Sequence, residues 1–220
     1  MFILITTYYK SQNTQRQNEI NQCLINNINN KHIKKIYLLN DDIYELDFLD
    51  DKSKVEQIIV DEDSKKRLKF SYAVNYINDN FKGEKCILAN SDIYYDTSLE
   101  LLYNINYNNL FIALSRYDNG RLFNKPLSQD SWIFESPLNI DLTKINYSFG
   151  ILGCENRFAY VVNEHKYQVI NPSFTIKSHH LHNSGFRTYN YRDRIRGLYL
   201  SVAPHTLGLR CKIGVYSRFK

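Results

Sequence analysis

The sequence predicts an α/β fold, a mostly parallel sheet flanked by helices, with an irregular carboxy-terminal part laid over one edge of the sheet. Three observations predict it. Short apolar runs alternate with segments of helical period through the first half of the chain. Three of those runs stop abruptly in acidic clusters, at Asn40-Asp41-Asp42, Asp61-Glu62-Asp63 and Asn90-Ser91-Asp92. Open sheets of this class hold ligands at the carboxyl ends of their strands, so the clusters fall where a ligand edge is expected. Finally, 220 residues with 43% hydrophobic composition can bury one such core, and 8 Gly with 4 Pro exclude a linker or fibrous chain.

Each element follows in order. Phe2 to Tyr8 reads as a buried first strand. Asn13 to Asn29 has helical spacing, with Ile20, Cys23, Leu24 and Ile28 at intervals of three and four. Ile36 to Leu39 and Val55 to Val60 are the second and third strands, and Lys66 to Phe81 is predicted as a helix. Lys85 to Ala89 is the fourth strand, Thr97 to Ile105 a short helix capped by Asp96 or Thr97, and Leu110 to Leu114 the fifth strand. Beyond it the pattern weakens. Trp132 to Phe134 predicts a strand, Gly153 to Asn163 a helix, and Tyr167 to Ile170 and Thr175 to Lys177 short strands. After His182 the chain reads as basic and loop-rich. Neither repeats nor a linker interrupt residues 1–220, so one domain is expected, with 1–115 as its nucleotide-binding half and 116–220 as the half that completes the metal and acceptor sites.

Charge and cysteine usage narrow the class. A net charge of +5 suits an anionic partner without choosing one. Cys23, Cys86, Cys154 and Cys211 are scattered, with no Cys-x-x-Cys spacing, which argues against a thiolate metal site and for a reducing compartment. The apolar start, Met1 to Ile5, is too short for a signal segment, and no run approaches the roughly 20 apolar residues of a membrane span. The expected location is the cytoplasm, or a host's cytoplasm if the protein is viral.

The candidate chemistry centres on Asn90-Ser91-Asp92. A divalent cation on a diphosphate needs only one or two hard oxygen ligands from protein, and Asp92 at a strand end can supply one. Asn90 suits a sugar hydroxyl. In the extended segment Ser178 to His182, His180 and His182 point to one side and His179 to the other, and imidazole is a good ligand for Mn²⁺ or zinc. Glu155, at a predicted helix start, is either a first-turn acid favoured by the helix dipole or a general base. Lys65-Lys66-Arg67 would open a helix against its dipole, a conflict that points to a ligand anion. Asp130 and Trp132 form a carboxylate and aromatic pair of the kind that binds sugars, with Trp132 equally placed in a core. Tyr8, Tyr9, Tyr94 and Tyr95 flank the ligand edge as candidates to stack on a base.

Taken in order, these residues resemble the GT-A family of nucleotide-sugar glycosyltransferases, over roughly residues 1 to 185. The stretches Asn90 to Asp96, Ser128 to Trp132, Gly150 to Arg157 and His180 to His182 resemble small viral and microbial members. The resemblance implies a GT-A-like, Rossmann-like sheet. It places Thr7 at the end of the first strand, Asp41 or Asp42 at the base, Arg67 by the diphosphate, and Asn90 and Asp92 at the donor. It implies Mn²⁺ or Mg²⁺ held by Asp92 with His180 or His182, and Glu155 as the base of an inverting transfer, with Asp130 as the alternative. Asn90 stands where the family's metal motif has its first Asp, which leaves Asp92 as the one strong ligand there. The implied partners are a nucleotide-sugar donor, with uracil the most frequent base in the family, and a glycan or other hydroxyl acceptor.

Two other classes stay in view. A sugar-phosphate nucleotidyltransferase would share the sheet and metal, but Thr6 to Thr14 lacks the Gly-rich loop it needs. A non-enzymatic glycan or nucleic-acid module would use the basic tail Arg187 to Arg218, interleaved with Tyr189, Tyr191 and Tyr199. No nucleic-acid motif accompanies that tail, so nucleic acid is not an expected partner.

Overall fold

The computed structural model describes residues 1–185 and 191–217. In chain order the elements are β1 (Phe2–Thr6), α1 (Thr14–Asn29), β2 (Ile33–Asn40), β3 (Val55–Ile59), α2 (Glu62–Lys65), α3 (Phe70–Asn80), β4 (Lys85–Ala89), β5 (Ile93–Tyr95), β6 (Leu110–Leu114), β7 (Arg116–Asp118), β8 (Arg121–Leu122), β9 (Ser131–Glu135), α4 (Cys154–Glu164), β10 (Gln168–Ile170), β11 (Ser178–His180), β12 (Leu198–Val202) and β13 (Ile213–Ser217).

Seven strands form the central sheet in the order β10-β6-β9-β4-β1-β2-β3. Strands β1 to β4 are mutually parallel, and β10 runs parallel to β6. The one reversed strand is β9, antiparallel to both β4 and β6. The sheet is therefore mostly parallel with helices on both faces, as the alternation predicts.

β1 shows why. All five of its side chains are buried, the signature of a strand covered on both sides. Phe2 and Leu4 pack into the cluster that contains Ile20, Leu24 and Ile28 of α1. Ile3 and Ile5 pack into the opposite cluster, with Ala73, Val74 and Ile77 of α3 and Phe158, Val161 and Val162 of α4. Trp132 of β9 is fully buried in this second layer, edge-on to Phe70, so it is a core residue and does not stand in a sugar pocket. No helix among the described residues is long and apolar enough to cross a membrane.

Five expectations need correction. The helix expected from Lys66 begins only at Phe70, because the chain just before it pairs with another segment. Phe149 N donates to Leu68 O and Phe70 N to Tyr147 O, with a bridge between Lys69 and Ser148. Lys65 and Lys66 therefore close α2, where cations are favoured by the dipole, and the supposed dipole conflict disappears. Thr175 to Lys177 is a turn, and the strand there is β11, one residue further on. The supposed loop-rich tail contains the β12–β13 hairpin, packed by β12 on α4. Arg187, Tyr189 and Arg218 of the basic tail lie outside the described residues. The short helix after Asp96 is a 3-10 helix, Thr97–Leu102, with the Asp96 side chain accepting from Ser98 N at 2.9 Å.

Two features position a site. The chain runs outward from β1 to β2 and β3 on one side, while β4 lies on β1's other side. The carboxyl ends of β1 and β4, at Thr6-Thr7 and Ala89-Asn90, thus flank the point where strand order reverses, the usual crevice for a ligand. A second, four-stranded sheet, β5-β11-β7-β8, carries the chain just beyond β4 and β6. In it His180 pairs with Ile93 on one side and with Asp118 on the other.

Candidate functional site

A cavity of about 1090 Å³ opens at this edge. Thr7, Asp41, Arg67, Asn90, Asp92, Asp130, Glu155, His180 and His182 all line it, so the structure brings these nine to one place. Tyr8, Tyr9, Lys65 and Lys66 line it as well, whereas Asp42, Tyr94 and Tyr95 do not. Tyr94 instead stacks on His179, whose Nε2 lies 3.1 Å from Asp96 Oδ2.

Asp92 is the most constrained group. It is only 7% exposed, and three cationic or imidazole groups face its Oδ2: Arg16 Nη2 at 2.6 Å, His180 Nε2 at 3.2 Å and His182 Nδ1 at 3.6 Å. Burial works against its charge, but the hydrogen bond and charge of His180, joined by Arg16, outweigh it and hold the carboxyl well below the usual range. Its Oδ1 is buried with no hydrogen-bond partner. A buried carboxylate oxygen left in that state is costly, and a cation or water there would satisfy it.

One ligand atom from each of Asp92, His180 and His182 lies within 4.8 Å of the others, so the three can hold a metal ion. His180 is also set up as a ligand should be. Asp118 Oδ1 sits 2.6 Å from its Nδ1, which leaves Nε2 directed at Asp92. A carboxylate behind the far nitrogen is the standard way to fix a metal-binding imidazole. The donor set is one carboxylate oxygen and two imidazoles, a mixed set less suited to Mg²⁺, which prefers oxygen throughout.

From Asp118 a chain of charges crosses the cavity wall. Arg116 Nε donates to Asp118 Oδ1 at 3.1 Å, and Arg116 Nη1 to Asp130 Oδ2 at 2.9 Å. Asn90 Nδ2 donates to Asp130 Oδ1 at 3.2 Å. The Asn90 amide and the Asp130 carboxylate thus already hold each other. With a guanidinium on one oxygen and an amide on the other, both Asp130 oxygens are already engaged.

Glu155 is different. It stands in the first turn of α4, and no cation pairs with it among the described salt bridges. Burial of its carboxyl, then the nearby Asp130 charge, push it up to about 7. A carboxyl with that value exchanges protons near neutral pH. α4 itself starts at Gly153, whose φ of +84° is left-handed. A Cβ at Gly153 would meet Tyr199 of β12 at 2.7 Å, so the hairpin presses directly on the helix start that carries Glu155. Asn156, one residue on, donates to both Gln129 Oε1 and Leu200 O at 3.1 Å and fastens the same contact. Arg67 reaches this turn too, with Nη1 3.4 Å from Gly150 O.

Sequence reasoning missed Arg16, Arg116 and Asp118. Arg16 looks like an ordinary polar helix residue, and its role comes from a partner 76 positions away. Asp118 and Arg116 leave one trace: they alternate in a short strand, so both can face one side. No protein-family model and no curated protein matches this chain.

Proposed function

We propose that the protein is a GT-A-like glycosyltransferase. It moves a sugar from a nucleoside-diphosphate donor, a UDP-sugar in the first instance, to a hydroxyl acceptor, with inversion and with help from a divalent cation. One observation carries the reading. A single crevice at the strand switch point is lined both by an Asp-His-His set that can hold a metal ion and by Glu155, a carboxyl that burial and Asp130 push above the ordinary carboxylate range. Lys65, Lys66 and Arg67 line the same crevice beyond the third strand.

In this reading, Asp92, His180 and His182 hold the cation, with Mn²⁺ favoured by the imidazoles. When bound, the cation supplies positive charge to the departing diphosphate. Arg67, which lines the same crevice, would add to that charge, and Thr7 and Asp41 line the pocket where the nucleoside would lie. Glu155 takes the proton from the acceptor hydroxyl as it attacks. Asp130, held by Arg116 and Asn90, is placed to receive a sugar hydroxyl, a role for which a charged, paired carboxylate is suited.

The test is calorimetric titration of the full chain with UDP-sugars, with and without Mn²⁺, followed by a transfer assay on any donor that binds. Metal-dependent donor binding with release of UDP is the expected result. Pyrophosphate release from a nucleoside triphosphate and a sugar phosphate would point instead to a nucleotidyltransferase. Absence of binding to every nucleotide sugar would sink the proposal.

A further inference from the structure

We infer that Arg16 and Glu19, one turn apart on α1, are positioning residues that assemble the Asp92, His180 and His182 set. The inference rests on the reading of that set as a cation site. Neither residue belongs to the set, and both are buried, at 6% and 8% exposure. Arg16 uses both ends of its fork. Nη2 donates to Asp92 Oδ2 at 2.6 Å, and Nη1 to the backbone oxygen of Leu181 at 3.2 Å. Leu181 is the residue between the two histidines, and its own N–H donates to Asp92 O at 3.0 Å. Arg16 Nη1 also lies 3.3 Å from Glu19 Oε2. Glu19 then holds the next part of the segment: Oε1 accepts from Ser184 N at 2.7 Å, and Oε2 from Ser184 Oγ at 2.9 Å.

The consequence is geometric. Asp92 leaves the end of β4, and His182 lies beyond the end of β11, outside either sheet. The small sheet fixes His180 by pairing on both sides, but it does not reach His182. Alongside the Leu181 amide, a bond from Asn119 Nδ2 to Asn183 Oδ1 at 3.2 Å and the approach of His182 itself to Asp92, α1 ties down Leu181 and Ser184, on either side of His182. A buried ion pair adds little net stability on average, because desolvation cancels most of the attraction. A helix that buries two charges to grip a surface segment on both sides of a histidine is better explained by what the grip positions. Outer groups that orient metal ligands commonly change metal affinity 10–100-fold.

The charges decide which residue to probe. Removing Arg16 would loosen the segment but also relieve repulsion of the cation, so its two effects oppose. Removing Glu19 frees Ser184 and leaves the Arg16 charge less compensated, and both effects weaken cation binding. The experiment is therefore Mn²⁺ titration, read by the signal of free Mn²⁺, on the full chain and on Glu19→Ala, Glu19→Gln and Ser184→Ala, each alone and with UDP.

Glu19→Ala is expected to weaken Mn²⁺ binding 10- to 100-fold. Glu19→Gln keeps an oxygen for the Ser184 amide and should bind at least about threefold more tightly than the alanine variant. Ser184→Ala, at a half-buried position where the backbone bond to Glu19 is kept and only the hydroxyl one is lost, should weaken binding about two- to tenfold with a small shift of the thermal midpoint, and it decides the matter if Glu19→Ala does not fold. Parental Mn²⁺ affinity in Ser184→Ala and in any folded Glu19→Ala protein would overturn the inference, whatever their stability. If the parent chain itself binds no Mn²⁺, with or without UDP, the cation reading fails and the inference falls with it.

Discussion

At the scale of single residues, Asp92 and Glu155 are carboxyls driven in opposite directions by their surroundings. Asp92 stays charged because His180 and Arg16 face it, and Glu155 tends to keep its proton because burial and Asp130 oppose its charge. Replacing Asp92 with Ala removes the nearer of the two carboxylates that face buried Arg16 and leaves only Glu19. The expected cost is about 3 kcal/mol in urea unfolding, together with loss of turnover and of metal-dependent nucleotide binding. Glu155→Gln is expected to retain donor binding and lose transfer by at least about 100-fold; full activity in this variant would move the base to Asp130.

The pH dependence has a definite sign. In the proposed role of base, Glu155 would have to be ionised, so kcat should rise as pH climbs through about 7. Its folded value lies above the unfolded 4.5. The stabilisation it contributes is complete below pH 4.5 and disappears as pH rises through 7. At pH 8 Glu155→Gln should therefore be more stable than the parent by of order 1–2 kcal/mol, an advantage that vanishes in thermal melts at pH 4.

At the scale of elements, the Gly153 turn joins fold to chemistry. Gly153→Ala must place a Cβ at φ +84° and against Tyr199, and it should destabilise by about 1–3 kcal/mol while lowering activity through displacement of Glu155. Circular-dichroism melts and the transfer assay check both parts. The elements also show what a sequence can disclose. β4 and β6 were legible to the residue because each is a buried apolar run bounded by polar residues. α1 was legible from its spacing, and Asn13 caps it by accepting from Arg16 N. The start of α3 was not, because Leu68 satisfies the apolar pattern while its backbone and those of Lys69 and Phe70 pair with residues 147–149, a tertiary event with no local mark. The reversed direction of β9 is equally invisible in Ser131 to Glu135. The site followed the same rule. Asp92, Glu155 and the histidines stood at element ends and could be found, whereas Arg16, Arg116 and Asp118 matter only through partners far along the chain.

At the scale of the whole molecule, the candidate cation set draws on both halves of the chain, Asp92 from the first and the histidines from the second. A cation or nucleotide that binds only the folded state should therefore stabilise the molecule by mass action, by roughly 2.7 kcal/mol at 100 times its Kd. Mn²⁺ with UDP should raise the thermal midpoint, and a chelator should reverse the rise; a midpoint indifferent to both would speak against the site. The small sheet adds a further consequence. Side chains alternate along β11, so His179 and His180 face opposite ways, one toward Tyr94 and Asp96, the other toward Asp118 and Asp92. A slip of one residue in β11 would turn every side chain to the other face. If His179 took the place of His180, Leu181 would take that of His182; a slip the other way would bring Leu181 and Asn183 to those two places. Only the present register puts two imidazoles beside Asp92, so a single residue inserted or deleted in this strand should cost the set at least one of them.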